Sequence, residues 1–216
     1  MKLNKKLVAA AMVLGTGFAG VSAAGSTANA ETFDGINTGD IEINGTIGKM
    51  DNTDPETDLP EGSDDWINIT VDTATAFHTT IASDHTEIES ADYSIQNNSG
   101  RGVAVYLSSL TGTPNYVTQL TVNPAAASTA LVSTPAAVNL IDGGAVASMP
   151  ATPWLTLANN EGRLNLVSDA ADTYGSEATF HYTGTVENAP AVAESENYTL
   201  TLKFASVQAD GTTIGR

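Results

Sequence analysis

The chain has 216 residues, of which 25 are acidic and 8 are basic, and it contains no cysteine. This length is enough for one domain with a sizeable core or for two small ones. The acidic excess argues against nucleic acid and anionic membranes as partners, because basic patches recognise both. The lack of cysteine excludes disulfides and thiol nucleophiles.

Residues 1–30 have the three parts of a secretory signal peptide. Three lysines within the first six residues precede an apolar run at 7–14, and the segment ends in Ala-Asn-Ala at 28–30. This order directs export and predicts cleavage after Ala30. A membrane anchor is the alternative, but the leucine-rich part is short for a hydrocarbon core of about 30 Å. We therefore expect a secreted, extracellular or cell-surface protein without a membrane segment after cleavage.

Cleavage makes the charge imbalance larger. It removes three of the eight basic residues and none of the 25 acidic ones, which leaves five basic residues and a formal charge of −20. Such a charge favours solubility outside the cell and attracts cations. The expected partners are a cell-wall polymer, a surface protein or further copies of the chain, and not nucleic acid.

The chain divides into four predicted segments: a signal peptide (1–30), an N-terminal strand segment (31–50), an acidic loop or linker (51–65) and a β-sandwich domain (66–216). Alternating residues at 40–44, closed by glycines, predict the first strand. The acidic segment has two prolines and many like charges. This composition predicts an extended, solvated linker.

Short alternating runs between turn residues predict an all-β protein. The predicted strands are 66–71, 76–81, 87–96, 102–107, 116–122, 130–140, 154–158, 163–167, 177–186 and 198–207. No helical periodicity is long enough for βαβ units, so the strands should be antiparallel. The predicted fold class is an antiparallel β-sandwich of Ig-like or Greek-key type.

Three local patterns refine this prediction. In the last strand, the two faces differ in polarity: Leu200, Leu202 and Phe204 point inward, and Thr199, Thr201 and Lys203 point outward. Residues 97–100, Asn-Asn-Ser-Gly, predict a turn, because asparagine and glycine tolerate positive φ. The alanine-rich residues 124–128 predict a single helical turn.

No motif in the sequence indicates catalysis. There is no G-x-S-x-G elbow, phosphate loop or dinucleotide fingerprint, and the three histidines do not have metal-ligand spacing. His78 and His181 lie in predicted strands and are interpreted as partly exposed strand positions. We therefore expect a non-enzymatic protein with no catalytic residues and no organic cofactor.

The acidic segment is the candidate metal site. Carboxylate oxygens are the hard ligands that calcium prefers, and five aspartates occur within 15 residues. They are Asp51, Asp54, Asp58, Asp64 and Asp65. Their spacing differs from that of an EF-hand loop, so any calcium site should be weak, in roughly the millimolar range. The alternative is a solvated linker that binds no metal.

The plan of the chain resembles secreted cell-surface proteins of low-GC Gram-positive bacteria, notably the WxL-type wall-binding proteins. The shared features are the signal peptide, the first strand, the acidic Asp/Pro segment, the strand-rich body and a closing Y-x-L-T-L strand. That family carries W-x-L twice and binds peptidoglycan non-covalently. Here Trp-Leu-Thr-Leu at 154–157 has threonine where the motif has leucine, and Tyr198 stands where the second motif has tryptophan. The resemblance implies a surface location.

Two functional hypotheses follow from these patterns. The first is a wall-associated or adhesive β-sandwich module, which rests on export, acidity and the absence of catalytic motifs. The second is a self-assembling, pilus-like subunit, in which the tethered strand at residues 39–48 pairs with a neighbouring copy.

Overall fold

Residues 50–213, the part of the chain that this computed structural model describes, form eleven β-strands and two short 3-10 helices, with no α-helix in that range. The strands are β1 (Ile69–Val71), β2 (Phe77–Thr79), β3 (Glu87–Ser90), β4 (Tyr93–Asn97), β5 (Val103–Thr111), β6 (Val117–Ala126), β7 (Val138–Asp142), β8 (Ala145–Val146), β9 (Leu155–Leu157), β10 (Glu177–Val186) and β11 (Thr199–Ser206). The predicted first strand at 40–44 and the signal peptide lie outside the described residues.

Two antiparallel sheets build the fold in the described region. The larger sheet has the order β1-β4-β10-β6-β7-β8, with β3 also on β10 and β2 on β3. The smaller sheet has the order β11-β5-β9. All strand pairs within residues 50–213 are antiparallel. The predicted antiparallel, sandwich-like all-β class is therefore confirmed.

The core lies between the two sheets, because the strands alternate apolar and polar side chains. Buried members come from both sheets: Ile95, Val122 and Phe180 from the larger one, and Val105, Leu107 and Leu157 from the smaller one. The predicted two-faced pattern of β11 is also confirmed. Its leucines and Phe204 are partly buried against the core, whereas Thr199, Thr201 and Lys203 are exposed.

Several predicted strand bounds were wrong. The predicted strand at 87–96 is two strands, β3 and β4, separated at residues 91–92. Of the predicted strand at 130–140, only the part from Val138 pairs, as β7. The predicted helical turn at 124–128 is instead the end of β6, which stays paired with β10 as far as Ala126.

The predicted strand at 163–167 is a series of turns. The Asp169 carboxylate accepts backbone N–H bonds from Leu164 (3.1 Å) and Asn165 (2.9 Å). The Asn165 side-chain oxygen in turn accepts the backbone N–H of Val167 at 2.9 Å. These local side-chain bonds occupy donors that a strand ladder would use, so they compete successfully with sheet pairing.

The acidic segment 51–65 is folded against one end of the sandwich, which corrects the prediction of an extended, solvated linker. Leu59 is buried, and the Glu61 carboxylate lies 2.7 Å from the Arg101 guanidinium with both side chains under 10 % exposed. The Arg101 guanidinium also lies 4.1 Å above the ring of the fully buried Trp66. A buried cation requires such partners, and the acidic segment supplies the charged one.

Residues 97–100 carry the chain from β4 in the larger sheet to β5 in the smaller one. They form the predicted connection, but none of them has positive φ, so that part of the prediction was wrong. Asn97 is buried, and its amide donates to the carbonyls of Arg101 and Ala158 at 2.8 Å each. The backbone N–H of Gly100 donates to the Asn52 carbonyl of the acidic segment at 2.7 Å. We call this region, where β4 ends and β5 begins, the closed end.

Candidate functional site: an aromatic cleft at the open end

The five aspartates of the predicted calcium site are spread along the acidic segment rather than gathered. They are Asp51, Asp54, Asp58, Asp64 and Asp65, all exposed. Three of them accept local hydrogen bonds: Asp51 from Thr53, Asp54 from the Glu56 backbone, and Asp65 from Ser63. Within residues 50–213, no three His, Asp or Glu side chains lie close enough to hold a metal ion. The side-chain geometry therefore lends the calcium prediction no support.

A large concave surface lies at the opposite end of the sandwich, where β5 and β10 end and β6 and β11 begin. We call this the open end. The nine residues of β5 separate the two ends by about 30 Å, at about 3.3 Å per residue. A cleft of about 840 Å³ opens there between the two sheets.

The floor of the cleft is apolar. It includes Leu110 of β5, Leu120 of β6 and Leu140 of β7, which are core residues with little exposed surface. Both sheets thus contribute to the floor, so the cleft depends on how the two sheets are stacked. An apolar floor with a few polar groups at its rim is typical of small-ligand sites.

Four aromatic side chains line the cleft. They are Phe77, Tyr116, Tyr182 and Tyr198. The ring centroids of Phe77 and Tyr198 lie 6.2 Å apart, so β2 of the larger sheet and the start of β11 form facing parts of the wall. The Tyr182 hydroxyl is 3.3 Å from the Thr75 hydroxyl. This contact gives the buried Tyr182 hydroxyl a hydrogen-bonding partner at the edge of the cleft floor.

The connection between β10 and β11, residues 187–198, forms one wall of the cleft, and two of its carboxylates, Glu194 and Glu196, line that wall. Glu196 accepts the backbone N–H of Tyr116 at 2.7 Å and a short hydrogen bond from the Tyr198 hydroxyl. Glu194 is exposed and accepts a hydrogen bond from the Tyr116 hydroxyl at 3.3 Å. The connection is therefore attached beside the beginning of β6 through Glu196 and through the Glu187 backbone N–H, which donates to the Tyr116 carbonyl at 3.0 Å.

The surroundings of three cleft tyrosines raise their pKa values, which already lie above the physiological range. The negative charge of Glu194, followed by partial burial, raises the pKa of Tyr116. Burial, followed by the hydrogen bond to Glu196, raises the pKa of Tyr198. Burial also raises the pKa of Tyr182. Each phenol stays protonated and can donate a hydrogen bond throughout the physiological range.

The histidines lie as the sequence predicted. His78 of β2 is exposed, and His181 of β10 is 40 % exposed, 3.4 Å from the Asp92 carboxylate. His78 and His85 also line the cleft, and the His85 ring is hydrogen-bonded to the Thr79 hydroxyl at 3.0 Å. Sequence reasoning had not connected these histidines with a binding site.

Sequence reasoning missed the cleft because its residues come from distant parts of the chain. One local signal was present: Glu194, Glu196 and Tyr198 occur at alternate positions. In an extended chain such residues share one face, and all three line the cleft, although the intervening Ser195 and Asn197 line it as well.

Comparison with known proteins gives no family for the chain. No protein-family profile matches the sequence, and no curated protein is significantly similar to it. In the range 50–213, the structure contains no helix long and apolar enough to cross a membrane.

Proposed function

We propose that the chain is an exported, non-enzymatic binding module, wall-associated or adhesive, whose ligand site is the aromatic cleft at the open end. The observation that carries this proposal is the cleft itself: a concavity of about 840 Å³ with aromatic walls over an apolar floor. Its size lies in the usual range of ligand pockets. Aromatic side chains supply large contact areas at low conformational cost, which favours a binding role.

Two features of the sequence support an extracellular ligand. The signal peptide directs the chain out of the cell, and the mature charge of −20 suits a protein that stays soluble there. The resemblance to WxL-type wall-binding proteins stays a prediction. Tyr198, which occupies the place of the second motif's tryptophan, lines the cleft. Trp154 is instead buried against Phe180, with ring centroids 5.7 Å apart.

A co-sedimentation assay tests the proposal. The mature protein, residues 31–216, is mixed with purified Gram-positive cell walls at physiological salt. The variant Ala193→Trp places a large ring on the cleft wall at an exposed position, and we expect it to lose most retention. The control Ala127→Trp makes the same change at an exposed position beyond the other end of β6. It should bind like the native protein.

The outcome that refutes wall association is a native protein that remains wholly in the supernatant. Equal loss of retention in both tryptophan variants would refute the cleft as the binding surface. Circular dichroism of each variant establishes that the fold is retained before binding is compared.

A second candidate function, strand addition between copies, is favoured by the edge of β11. In the described part of the chain, this eight-residue strand pairs with β5 on one side and with no strand on the other. An edge of this length offers a row of free backbone groups to an added strand. The Ser206 hydroxyl donates to the Ser63 carbonyl at 3.0 Å, so the chain that leads from the N-terminus passes beside the end of β11. The strand predicted at 40–44 is the proposed donor.

Deletion of residues 31–48 tests strand addition. If donation occurs, any oligomer of the mature protein seen by size-exclusion chromatography should dissociate when the donor is removed. The contrary result is a truncated domain that stays folded while the same oligomer persists. Because the described lining of the cleft begins at Thr75, wall binding through the cleft should survive the deletion.

A further inference from the structure

The charge around the cleft is mainly negative. Among the described residues that line it are the carboxylates Glu194 and Glu196, but no lysine or arginine. His78 and His85 are the basic side chains in this described lining. A negative cleft in a strongly acidic protein attracts cationic ligands and repels anionic ones.

The two carboxylates differ in how far they are already engaged. Glu196 accepts backbone N–H bonds from Asn115 and Tyr116 and a hydroxyl bond from Tyr198, so it serves mainly to hold the wall together. Glu194 is exposed and accepts a single long bond from the Tyr116 hydroxyl among its described contacts. A carboxylate has room for several more donors. Glu194 is therefore the group that can receive a charged ligand.

The shape and lining of the cleft favour an organic cation over a metal ion. A divalent cation needs several oxygen ligands, and no set of three suitable side chains occurs in residues 50–213. An ammonium group needs fewer fixed ligands, because aromatic faces also attract it. The Tyr198 hydroxyl is hydrogen-bonded to Glu196 and the Tyr198 ring packs against Phe77, so aromatic faces and carboxylates line the same cleft, and the leucine floor suits a methylene chain.

Resting on the proposed function of the cleft, we infer that it takes a primary alkylammonium group, with the methylene chain on the leucine floor and the ammonium donating to Glu194. Two wall components carry this chemistry: free amino groups of peptide cross-links and aminoacyl esters on anionic wall polymers. Both present a primary ammonium group, which stands on a methylene chain in a lysine-type peptide amine and on the carbon next to the carbonyl in an aminoacyl ester.

The direct test is an NMR titration of the mature protein with Nα-acetyl-lysine methylamide. The matched probe is Nα-acetyl-norleucine methylamide, which has a similar chain but no ammonium. We expect the lysine probe to shift the amide signals of residues 110–117 and 194–200. We expect Glu194→Gln to weaken its binding about three- to tenfold, because a charged hydrogen bond at an exposed position is lost.

The control variant is Glu56→Gln, which removes the same charge from an exposed position in the acidic segment. It should bind the lysine probe like the native protein. Equal affinity for the lysine and norleucine probes, or equal weakening by both variants, would overturn the inference. So would binding of a neutral N-acetylglucosamine oligomer at the same amides without dependence on Glu194.

Wall assays separate this inference from the proposed function. N-acetylation of the walls blocks all amines, whereas mild base removes only the aminoacyl esters, so the two treatments identify the source. Full retention on acetylated walls would refute the ammonium ligand while leaving wall binding intact. Binding of the lysine probe through Glu194 without retention on any wall would support the ligand and refute wall association.

Discussion

The two ends of the sandwich differ in how the segments outside the strands cover the core. At the closed end, the acidic segment covers the core, and buried polar groups such as Asn97 and Arg101 have hydrogen-bonding partners. At the open end, the connection 187–198 leaves a cleft of about 840 Å³ over the leucine floor. The closed end therefore contains a buried ion pair, Arg101–Glu61, and the open end has carboxylates and aromatic rings along a cleft.

From this difference we expect the closed end to stabilise the fold and the open end to bind a ligand. Buried, fully bonded polar groups are costly to disturb, so the closed end should contribute strongly to stability. An incompletely covered core loses part of that stabilisation but provides a concave surface for a ligand. Changes at the closed end should thus affect unfolding, and changes at the open end should affect binding.

The largest expected effect is at Arg101. Arg101→Ala leaves the buried Glu61 carboxylate without its cation and removes the guanidinium from the Trp66 ring. We expect a loss of about 3–5 kcal/mol in the free energy of unfolding. Urea denaturation near neutral pH, followed by tryptophan fluorescence, measures it. The control is Lys203→Ala, an exposed position on β11. A loss below about 1 kcal/mol for Arg101→Ala would contradict the closed-end argument.

The next effect in size is at Asn97. Its amide donates to two carbonyls at 2.8 Å, and its oxygen accepts the Ser99 N–H at 3.0 Å. Asn97→Ala leaves these buried groups unpaired, which should cost about 2–3 kcal/mol by the same denaturation measurement. Asn98→Ala is the matched control, because Asn98 is only partly buried. Equal stability of the two variants would show that the buried Asn97 side chain contributes no more than the partly buried Asn98.

A smaller effect is expected at the open end for Glu196→Gln. The substitution weakens the bonds from the Tyr116 N–H and the Tyr198 hydroxyl but keeps the side-chain volume. Because the site is partly exposed, global stability should fall by about 1 kcal/mol or less. Amide hydrogen exchange at Asn115 and Tyr116 should become faster. Unchanged exchange at these two amides would show that Glu196 does not hold the cleft wall.

The smallest expected effect is a difference between the two ends in how their contribution to the free energy of unfolding changes with pH. At the closed end, the Asn165 backbone N–H lowers the pKa of Asp169, and the Thr212 hydroxyl lowers that of Asp210. These folded-state values lie below the unfolded value of about 4, so both groups stabilise the fold above that pH. Their contribution is lost as the pH falls through the folded values. Asp169→Asn should therefore flatten the acid limb of a stability–pH curve.

The open end should respond at the alkaline extreme instead. The pKa values of Tyr116 and Tyr198 are raised, so their contribution to stability is complete below the unfolded value of about 10. It is lost as the pH rises through the folded values. Titration of the phenols by ultraviolet absorbance should show a fraction that ionises above the ordinary tyrosine pKa. Tyr198→Phe should reduce that fraction. A native titration curve with a single step at the ordinary tyrosine pKa would contradict this.

Much of the fold could be predicted from alternation alone. The bounds of β10 were predicted correctly, and those of β11 to within one residue, because each strand has an inward apolar face and an outward polar one. Prediction failed where side chains form local bonds with the backbone, as Asp169 does at 163–167. It also failed at the acidic segment, whose composition resembles a linker but whose Glu61 has a buried partner.

The sequence by itself determined the class of the fold, because each strand's pattern is contained in a few neighbouring residues. Only the tertiary structure decided which end is closed and where the cleft lies. The bonds of the closed end join Glu61 to Arg101, 40 positions away, and to the Ala209 backbone, 148 positions away. The cleft likewise combines β2, β6 and β10 with the connection 187–198. Local sequence patterns do not predict such long-range contacts, because the contacts depend on how the two sheets stack.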